Sequence, residues 1–390
     1  MKKILMLFVA IFSILGLASC DIQISDPNIT IDSIEKENVD IIQIQNELSK
    51  TINEIDDRCV GVVAIGSKYK STGSGVIYKI LDRKSKKPAT KNTVEAICYV
   101  VTNEHVIKPK EKNTNYRVYI GAENYYFADC IGSDAKNDLA VLKFTLPLGD
   151  NTIQYDDFED LDKSSMDFPA KGSYAIAIGC PLSLENFNYP TFGLIGNVSL
   201  LSITHSAAIN PGSSGGGLFN TSGRLIGINV SKKVSADIED ENTNNVPIVG
   251  IGRAIPIWTV KKVVNQIEEV NDDIVRPSLG INYQEINGDL YPEFAKFLPT
   301  GIHQAILIRD VFDETNATHL EGKDEDGRTY KSLKGNDVIV GINDNEIIKE
   351  VELEYFLNSL SVGSELKLSV YRLIDDIWIK ITFKGKLKAW

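Results

Sequence analysis

Apolar and polar positions alternate in short runs along most of the chain, separated by turns rich in Gly, Asn and Asp. The first set is Cys59–Ile65, Gly75–Ile80, Val94–Thr102, Arg117–Ile120, Tyr125–Ile131 and Leu139–Phe144. A second set follows at Ser173–Ile178, Gly193–Leu200, Gly217–Phe219, Arg224–Val230 and Val249–Ile255. Short β-branched runs bounded by turn residues read as strands, and two such groups predict two packed β-barrels. Helical spacing appears in two places. Ile41, Ile42, Ile44, Leu48, Ile52 and Ile55 recur within Val39–Ile55, predicting a helix that packs across the first barrel. Pro256 opens a second pattern with Trp258, Val260, Val263, Val264 and Ile267 on one face, and proline suits a first helical turn. A short linker, Glu268–Val275, follows. Two polar insertions interrupt the strands: Asp82–Asn92, which is basic, and Ser231–Asn245, which is acidic.

Composition narrows the class. A chain of 390 residues exceeds one ordinary core, so two domains are expected. With 43% apolar and 24% charged residues the chain is globular. A net charge of -12 argues against nucleic acid or an anionic membrane surface as the main partner. The N-terminus reads as a targeting segment. Lys2 and Lys3 precede an apolar stretch, Ile4–Leu17, too short for a comfortable membrane span. It ends in Leu17-Ala18-Ser19-Cys20, which resembles a bacterial lipobox. That likeness implies cleavage before Cys20, lipidation of its sulfur, and tethering to a membrane without spanning it. The alternative is an ordinary signal peptide with a chance cysteine. Cys59, Cys98, Cys130 and Cys180 each sit in or beside an apolar run. They lack the close pairing of zinc ligands, so buried thiols are favoured over one disulfide.

Candidate chemistry concentrates in three segments. Ile209-Asn210-Pro211-Gly212-Ser213-Ser214-Gly215-Gly216-Gly217 sets a serine in a glycine-dense turn between apolar runs. Such a turn can expose a side chain and aim backbone N–H groups at a developing oxyanion. Val100–Ile107 places His105 directly after a β-branched run, and Lys136–Leu142 places Asp138 at the mouth of another. The order His, Asp, Ser is that of chymotrypsin-like enzymes; subtilisins and α/β-hydrolases use other orders. His105 would take the Ser214 proton and pass it to the leaving amine, while Asp138 fixes the imidazole tautomer. Gly212 and Ser214 would supply the oxyanion N–H groups. Taken singly, His105 reads equally as a strand-end surface histidine and Asp138 as a turn aspartate.

Several further pieces agree with these in order and spacing: Gly73-Ser74-Gly75-Val76-Ile77, Asp138–Leu142, Gly223–Asn229 and Gly250–Pro256. Together with Thr102–Val106 and Ser206–Gly216, they resemble the HtrA-type (Deg) serine proteases from about residue 58 to the C-terminus. The resemblance implies a mainly β fold, a chymotrypsin-like double β-barrel followed by a PDZ domain. The domains would be a lipoprotein signal peptide at 1–19, a tether at 20–37, a protease domain at 38–268 and the PDZ domain at 276–390. Pro277-Ser278-Leu279-Gly280-Ile281 resembles a PDZ carboxylate loop and first strand, with Ser278, Leu279, Gly280 and Ile281 receiving a C-terminal peptide. Leu333–Asn343 resembles a later PDZ segment, Val351–Leu360 its helix and Glu365–Arg372 a late strand. Phe312–Lys331 departs from the pattern as a long charged insertion, which puts ligand preference in doubt. Ser213 stands where the family has Asn or Asp, and Gly217 where it commonly has Pro.

By the same resemblance, Ser231–Asn245 matches a loop that must order before the oxyanion turn is competent; a solvated hairpin tip is the open alternative. Trypsin-like enzymes carry aspartate where Ala208 stands, and glutamate-specific relatives carry histidine on the strand that here holds Ile228 and Asn229. With Ile209 nearby, the pocket of Ala208, Ile209 and Ile228 is expected to be small and apolar, with cleavage after Val or Ala. His205 is not expected to be catalytic. The leading functional expectation is an ATP-independent envelope protease for unfolded or damaged proteins, lipid-anchored, facing the periplasm or exterior, and needing no cofactor or metal. A homotrimer is implied by resemblance alone. The alternatives are a chaperone-like binding protein with a latent protease, and a PDZ-dependent regulatory protease acting on a specific partner.

Overall fold

The computed structural model describes residues 41–389 apart from 91, 109, 148–167 and 232–249. Cys20, the signal peptide, the tether and most of the acidic insertion lie outside the described residues. By its contacts the chain divides between Glu47 and Leu48, and every sheet belongs to the second unit.

Helix α1 spans Ile41–Asp56. The first barrel follows: β1 (Cys59–Ile65), β2 (Lys70–Asp82), β3 (Glu95–Thr102), β4 (Asn115–Tyr119), β5 (Tyr125–Asp134) and β6 (Leu139–Pro147). Its strands close in the order β1-β2-β3-β6-β5-β4, with β4 returning to β1. The second barrel comprises β7 (Tyr174–Gly179), β8 (Tyr189–Val198), β9 (Ile203–His205), β10 (Gly217–Asn220), β11 (Leu225–Val230) and β12 (Gly252–Pro256). It closes in the order β10-β11-β12-β9-β8-β7. Full closure leaves neither sheet an open edge. The expected double barrel is therefore present, and β9 is one strand more than the sequence pattern suggests.

Alternation along the strands sorts side chains into three layers. Val60, Val62, Ile77, Val100 and Leu142 fill the first barrel. Ala177, Ile195, Ile203, Leu218 and Ala254 fill the second. Between the barrels lies a shared core of Val76, Val101, Leu139, Ile176, Phe219 and Ile228. Helix α2 (Ile257–Val270) seals this layer with Val260, Val263, Val264 and Ile267, all buried at helical spacing. Pro256 is its N-cap and not its first helical residue, and Asn271 ends it in the left-handed region at φ 55°.

The segment after α2 is not a free linker. The N–H of Ile274 donates to the Ser133 carbonyl at 2.8 Å, and the Asp273 carboxylate accepts from the Ser133 N–H at 2.8 Å and from Lys110. The helix itself runs past residue 268, to Val270.

The C-terminal sheet contains β13 (Ile281–Asn287), β14 (Gln304–Val311), β15 (Glu321–Lys323), β16 (Thr329–Lys331), β17 (Val338–Ile342), β18 (Asn345–Glu346), β19 (Glu365–Ile374) and β20 (Ile377–Lys386). Its order is β13-β14-β17-β19-β20-β15-β16, with β18 against β17. The insertion 312–331 forms a short helix, α3 (Asn316–His319), and then β15 and β16, which extend the sheet beyond β20. Strand β13 is the opposite edge, and helix α4 (Glu350–Asn358) carries the buried Leu353 into the domain core. All four cysteines among the described residues are free thiols; Cys59, Cys98 and Cys180 are buried and Cys130 is half-buried.

Candidate active site

Strand β3 delivers the histidine. Thr102 ends the strand, Asn103 stays extended, and a 3-10 turn, Glu104–Ile107, turns His105 outward while Val106 and Ile107 anchor it in the core. The turn is pinned from both sides. Thr102 Oγ1 donates to the Ser74 carbonyl at 2.6 Å, and Asn103 Nδ2 donates to the Asp138 carbonyl at 2.9 Å.

Asp138 sits at the end of the tight β5–β6 turn with φ 52°, a left-handed backbone that costs a non-glycine residue energy and persists only where its surroundings impose it. Those surroundings are supplied by Asp134. Its Oδ1 accepts the N–H groups of Lys136 and Asn137, both at 3.1 Å, and its Oδ2 accepts Asn137 Nδ2 at 2.7 Å. Asp134 is in turn paired with the buried Arg276 at 2.6 Å. The result is a carboxylate aimed at His105: Nδ1 lies 2.9 Å from Asp138 Oδ1 and 2.8 Å from Oδ2. The His105 N–H also donates to Oδ1 at 3.0 Å. This geometry requires the proton on Nδ1 and leaves Nε2 as a base.

The serine turn is clamped to the first barrel through Ser74. Its N–H donates to the Ser214 carbonyl at 2.7 Å, and its hydroxyl donates to the Gly212 carbonyl at 2.7 Å while accepting the Cys180 N–H at 2.8 Å. Two glycines are obligatory here. Gly212 has φ 99°, and a Cβ there would lie 2.3 Å from the Cys180 carbonyl oxygen. Gly215 has φ 86°, and its Cβ would fall 2.1 Å from the Ser74 carbonyl oxygen. The Pro211 carbonyl accepts the Leu182 N–H at 2.7 Å, so it faces away from the serine. Among the described residues, the N–H groups of Gly212 and Ser214 have no acceptor, as an oxyanion site requires.

The His105–Asp138 pair follows directly on Thr102, whose hydroxyl bonds Ser74, and Ser74 in turn clamps the turn that carries Gly212 and Ser214. The hydroxyl of Ser214, however, is engaged elsewhere. It lies 2.5 Å from Ser231 Oγ and accepts the Ser231 N–H at 2.9 Å. Among the described residues, His105 Nε2 has no partner. Ser231 is a site residue that sequence reasoning missed as an individual, although it opens the expected regulatory insertion.

The expected apolar pocket is corrected by the same strand. Ile228 packs in the core between the barrels with Val264 and Ile267, so it faces away from the serine. Its neighbour Asn229 takes the inward face of β11, fully buried, with Nδ2 donating to the Gly217 carbonyl at 2.8 Å and Oδ1 without a partner. Ala208 is exposed and Ile209 half-buried beside the interior of the second barrel. His205 is also interior and 2% exposed, and neither ring nitrogen has a hydrogen bond. Burial pulls its pKa down to about 4, against smaller opposing contributions from Asn229 and the Ala207 backbone. Ser278 and Gly280 lie in a loop held by the insertion: Asn316 Nδ2 donates to the Ser278 carbonyl at 2.7 Å, and Ala317 N–H to the Leu279 carbonyl at 2.9 Å. Leu279 is itself buried, and Ile281 begins β13.

Comparison with known proteins accounts for this layout. The trypsin-like peptidase domain matches residues 73–228. The serine protease Do-like HtrA of Lactococcus lactis subsp. cremoris is 30% identical over 322 residues, covering 79% of this chain and 69% of that protein. The chain belongs to the HtrA family of serine proteases. It is a serine endopeptidase by that membership. A probable periplasmic DegP-like endoprotease of Buchnera aphidicola subsp. Baizongia pistaciae is 28% identical, covering 93% of this chain and 69% of that one. Among solved structures, the HtrA-type protease AlgW with a tripeptide aligns with a TM-score of 0.62 at 24% identity, covering 87% of this chain and 96% of that one. At that identity the likeness speaks to the fold, and it extends the HtrA architecture through the C-terminal sheet.

Proposed function

We propose that this HtrA-family chain hydrolyses peptide bonds through His105, Asp138 and Ser214, with the N–H groups of Gly212 and Ser214 binding the oxyanion. The observation that carries this reading is the His105–Asp138 pair at 2.8 Å beside a turn whose two oxyanion N–H groups are unclaimed among the described residues. In the reaction, His105 Nε2 accepts the Ser214 proton as Oγ bonds to the carbonyl carbon. The same proton then goes to the amine as the peptide bond breaks. Water repeats the sequence on the acyl-enzyme and frees Ser214. Asp138 stays ionised and stabilises the imidazolium. Removing one oxyanion donor costs roughly 2.7–4 kcal/mol of transition-state stabilisation.

The relatives named periplasmic support a cell-envelope location, and membership in a family of endoproteases supports polypeptide substrates, for which unfolded or damaged proteins are the proposed form. Lipidation at Cys20 would supply the anchor; among the described residues, no helix is long and apolar enough to cross a membrane. The domain from about 276 onward is read as a PDZ domain that captures peptide by strand addition to β13, whose outer edge is unpaired in the sheet. Capture of a C-terminal carboxylate is a weaker fit. Gly280 N–H is already directed at Ser278 Oγ at 3.2 Å, and Glu285, Glu350 and Glu354 line the space between β13 and α4. Homotrimer assembly is proposed from the family alone.

One observation favours the regulatory reading as a second possibility. With the hydroxyl and N–H of Ser231 bonded to Ser214 Oγ, the serine is held from attack until that contact breaks. The deciding experiment is cleavage of unfolded casein by wild type and Ser214→Ala, with a fluorophosphonate probe to mark the reactive serine. The triad reading expects cleavage and labelling only in wild type; casein cut by the Ser214→Ala enzyme would sink it.

A further inference from the structure

We propose that His205 and Asn229 form a polar floor beneath Ser214 that selects a carboxamide side chain, glutamine above all, immediately before the scissile bond. The proposal rests on the reading of Ser214 as nucleophile. Asn229 is locked beside that turn: its carbonyl accepts the Gly215 N–H at 2.9 Å, and its N–H donates to the Gly216 carbonyl at 2.8 Å. Its side chain therefore emerges next to the residues that follow Ser214. Across the sheet Asn229 pairs with Ala254, Ala254 with Ile203, and Gly252 with His205. Strand alternation puts all five on one face, the interior of the second barrel. Ala207–Pro211 then carries the chain from His205 to the Ser214 turn, and Asn229 bonds that turn directly, so two strands tie the pair to it.

Gly252 makes room for the imidazole. A Cβ at Gly252 would lie 2.4 Å from His205 Cε1 and 2.8 Å from Nε2, so the imidazole lies against bare backbone where any side chain would displace it. The two side chains are buried with three polar atoms unpaired: both ring nitrogens of His205 and Oδ1 of Asn229. Buried polar groups are normally satisfied, and an orphaned cluster beside a nucleophile points to a ligand that completes it. The Asn229 side chain and the Ala207 backbone both lie near enough to the imidazole to oppose the fall in its pKa, though neither meets a ring nitrogen in hydrogen-bond geometry.

The chemistry of the pair picks the ligand class. A neutral imidazole offers one N–H donor, and Asn229 Oδ1 offers one acceptor. A carboxamide matches both, its oxygen accepting from His205 and its NH2 donating to Asn229. A carboxylate has nothing to donate to Oδ1, and no charged group contributes to the His205 titration to balance it. An aliphatic side chain would bury the floor while leaving it unpaired. The depth of His205, 2% exposed, favours glutamine over the shorter asparagine.

The test uses the full chain and quenched peptides differing only in the residue before the cleaved bond: Gln, Glu, Leu or Val. Sites that pair a substrate's hydrogen-bonding group reject analogues lacking it strongly, so kcat/KM for Gln should exceed each of the others by about 10-fold or more. His205→Leu should erase that preference and raise cleavage after Leu. His205→Gln, which keeps a donor, should retain Gln over Leu and guards against a variant that fails to fold. Cleavage after Val or Leu in wild type, unchanged by either substitution, overturns the pocket proposal while the Ser214→Ala control upholds the triad. Cleavage surviving Ser214→Ala removes the triad reading and the pocket with it, and peptides left uncut by wild type count against both.

Discussion

At the residue scale, the decisive contact is the one between two serines. A nucleophile needs its proton directed at a base, yet Ser214 Oγ faces Ser231, with both the hydroxyl and the N–H of Ser231 within bonding distance. Replacing Ser231 by Ala removes the hydroxyl contact and keeps the N–H. A neutral hydrogen bond is worth about 0.5–1.5 kcal/mol net, so the basal rate should rise roughly 2- to 10-fold. Fluorophosphonate labelling of the resting enzyme measures this directly; an unchanged rate means the contact does not hold the serine back. His205 makes a second residue-scale prediction. Its pKa is depressed in the folded state to about 4, so between there and its unfolded value the unfolded chain binds more protons. Stability should therefore be full above about pH 6.5 and fall as acid is added through pH 4, by about 3 kcal/mol at most from this group. Denaturation midpoints from pH 7 to 4 should fall less steeply in His205→Leu than in wild type. Asn229 and His205 were present in the sequence as letters, but their unpaired burial was not legible. Only the sheet register puts them on one face, and the sequence pattern favours Ile228 over Asn229 because a strand's inward face cannot be read without knowing which layer each face meets.

At the element scale, what periodicity could read, it read: both helices and eleven of the twelve barrel strands lie close to their expected places. Strand β9 escaped because three residues, Ile203–His205, carry too little alternation to stand out from a loop. The strands inside the charged insertion after Phe312 leave no mark in the sequence because each is three residues long, held by pairing with each other and with β20 and not by an apolar pattern of their own. Helix α2 shows the reverse case, where spacing alone revealed the role. Its Val260, Val263, Val264 and Ile267 close the layer shared by the barrels, on which the registration of Ser214 against His105 depends. Ile267 is fully buried and touches the β5 turn region through the space that Gly132 leaves open. Ile267→Ala should cost about 2–5 kcal/mol through lost burial and a residual cavity. Urea unfolding checks this, and a loss under 1 kcal/mol would show that the layer collapses to fill the gap.

At the scale of the whole molecule, one arginine joins the turn that presents Asp138 to the end of helix α4. Arg276 Nε and Nη2 both donate to Asp134 Oδ2, at 2.8 and 2.6 Å. Its Nη1 reaches the Leu360 carbonyl at 2.9 Å, just beyond helix α4, and Nη2 also reaches Gln266 of α2. Asn137 Nδ2 donates to the Asn358 carbonyl at 3.1 Å, so the turn that presents Asp138 touches the end of α4 directly. The pair is nearly excluded from solvent, with side chains 5% and 0% exposed, so cutting it leaves a buried carboxylate without its counter-charge. Such a loss costs about 3–5 kcal/mol. Asp134 also accepts the two N–H groups that shape the strained Asp138 turn, so the effect should reach the triad. Arg276→Met is expected to lower unfolding free energy by that amount and to reduce kcat more than it raises KM, since His105 would lose a firmly oriented partner while substrate contacts remain. Urea unfolding beside steady-state kinetics on casein separates the two effects. A variant that loses stability but keeps full kcat would confine Arg276 to holding the domains together, and would leave Asp138 dependent on its own turn alone.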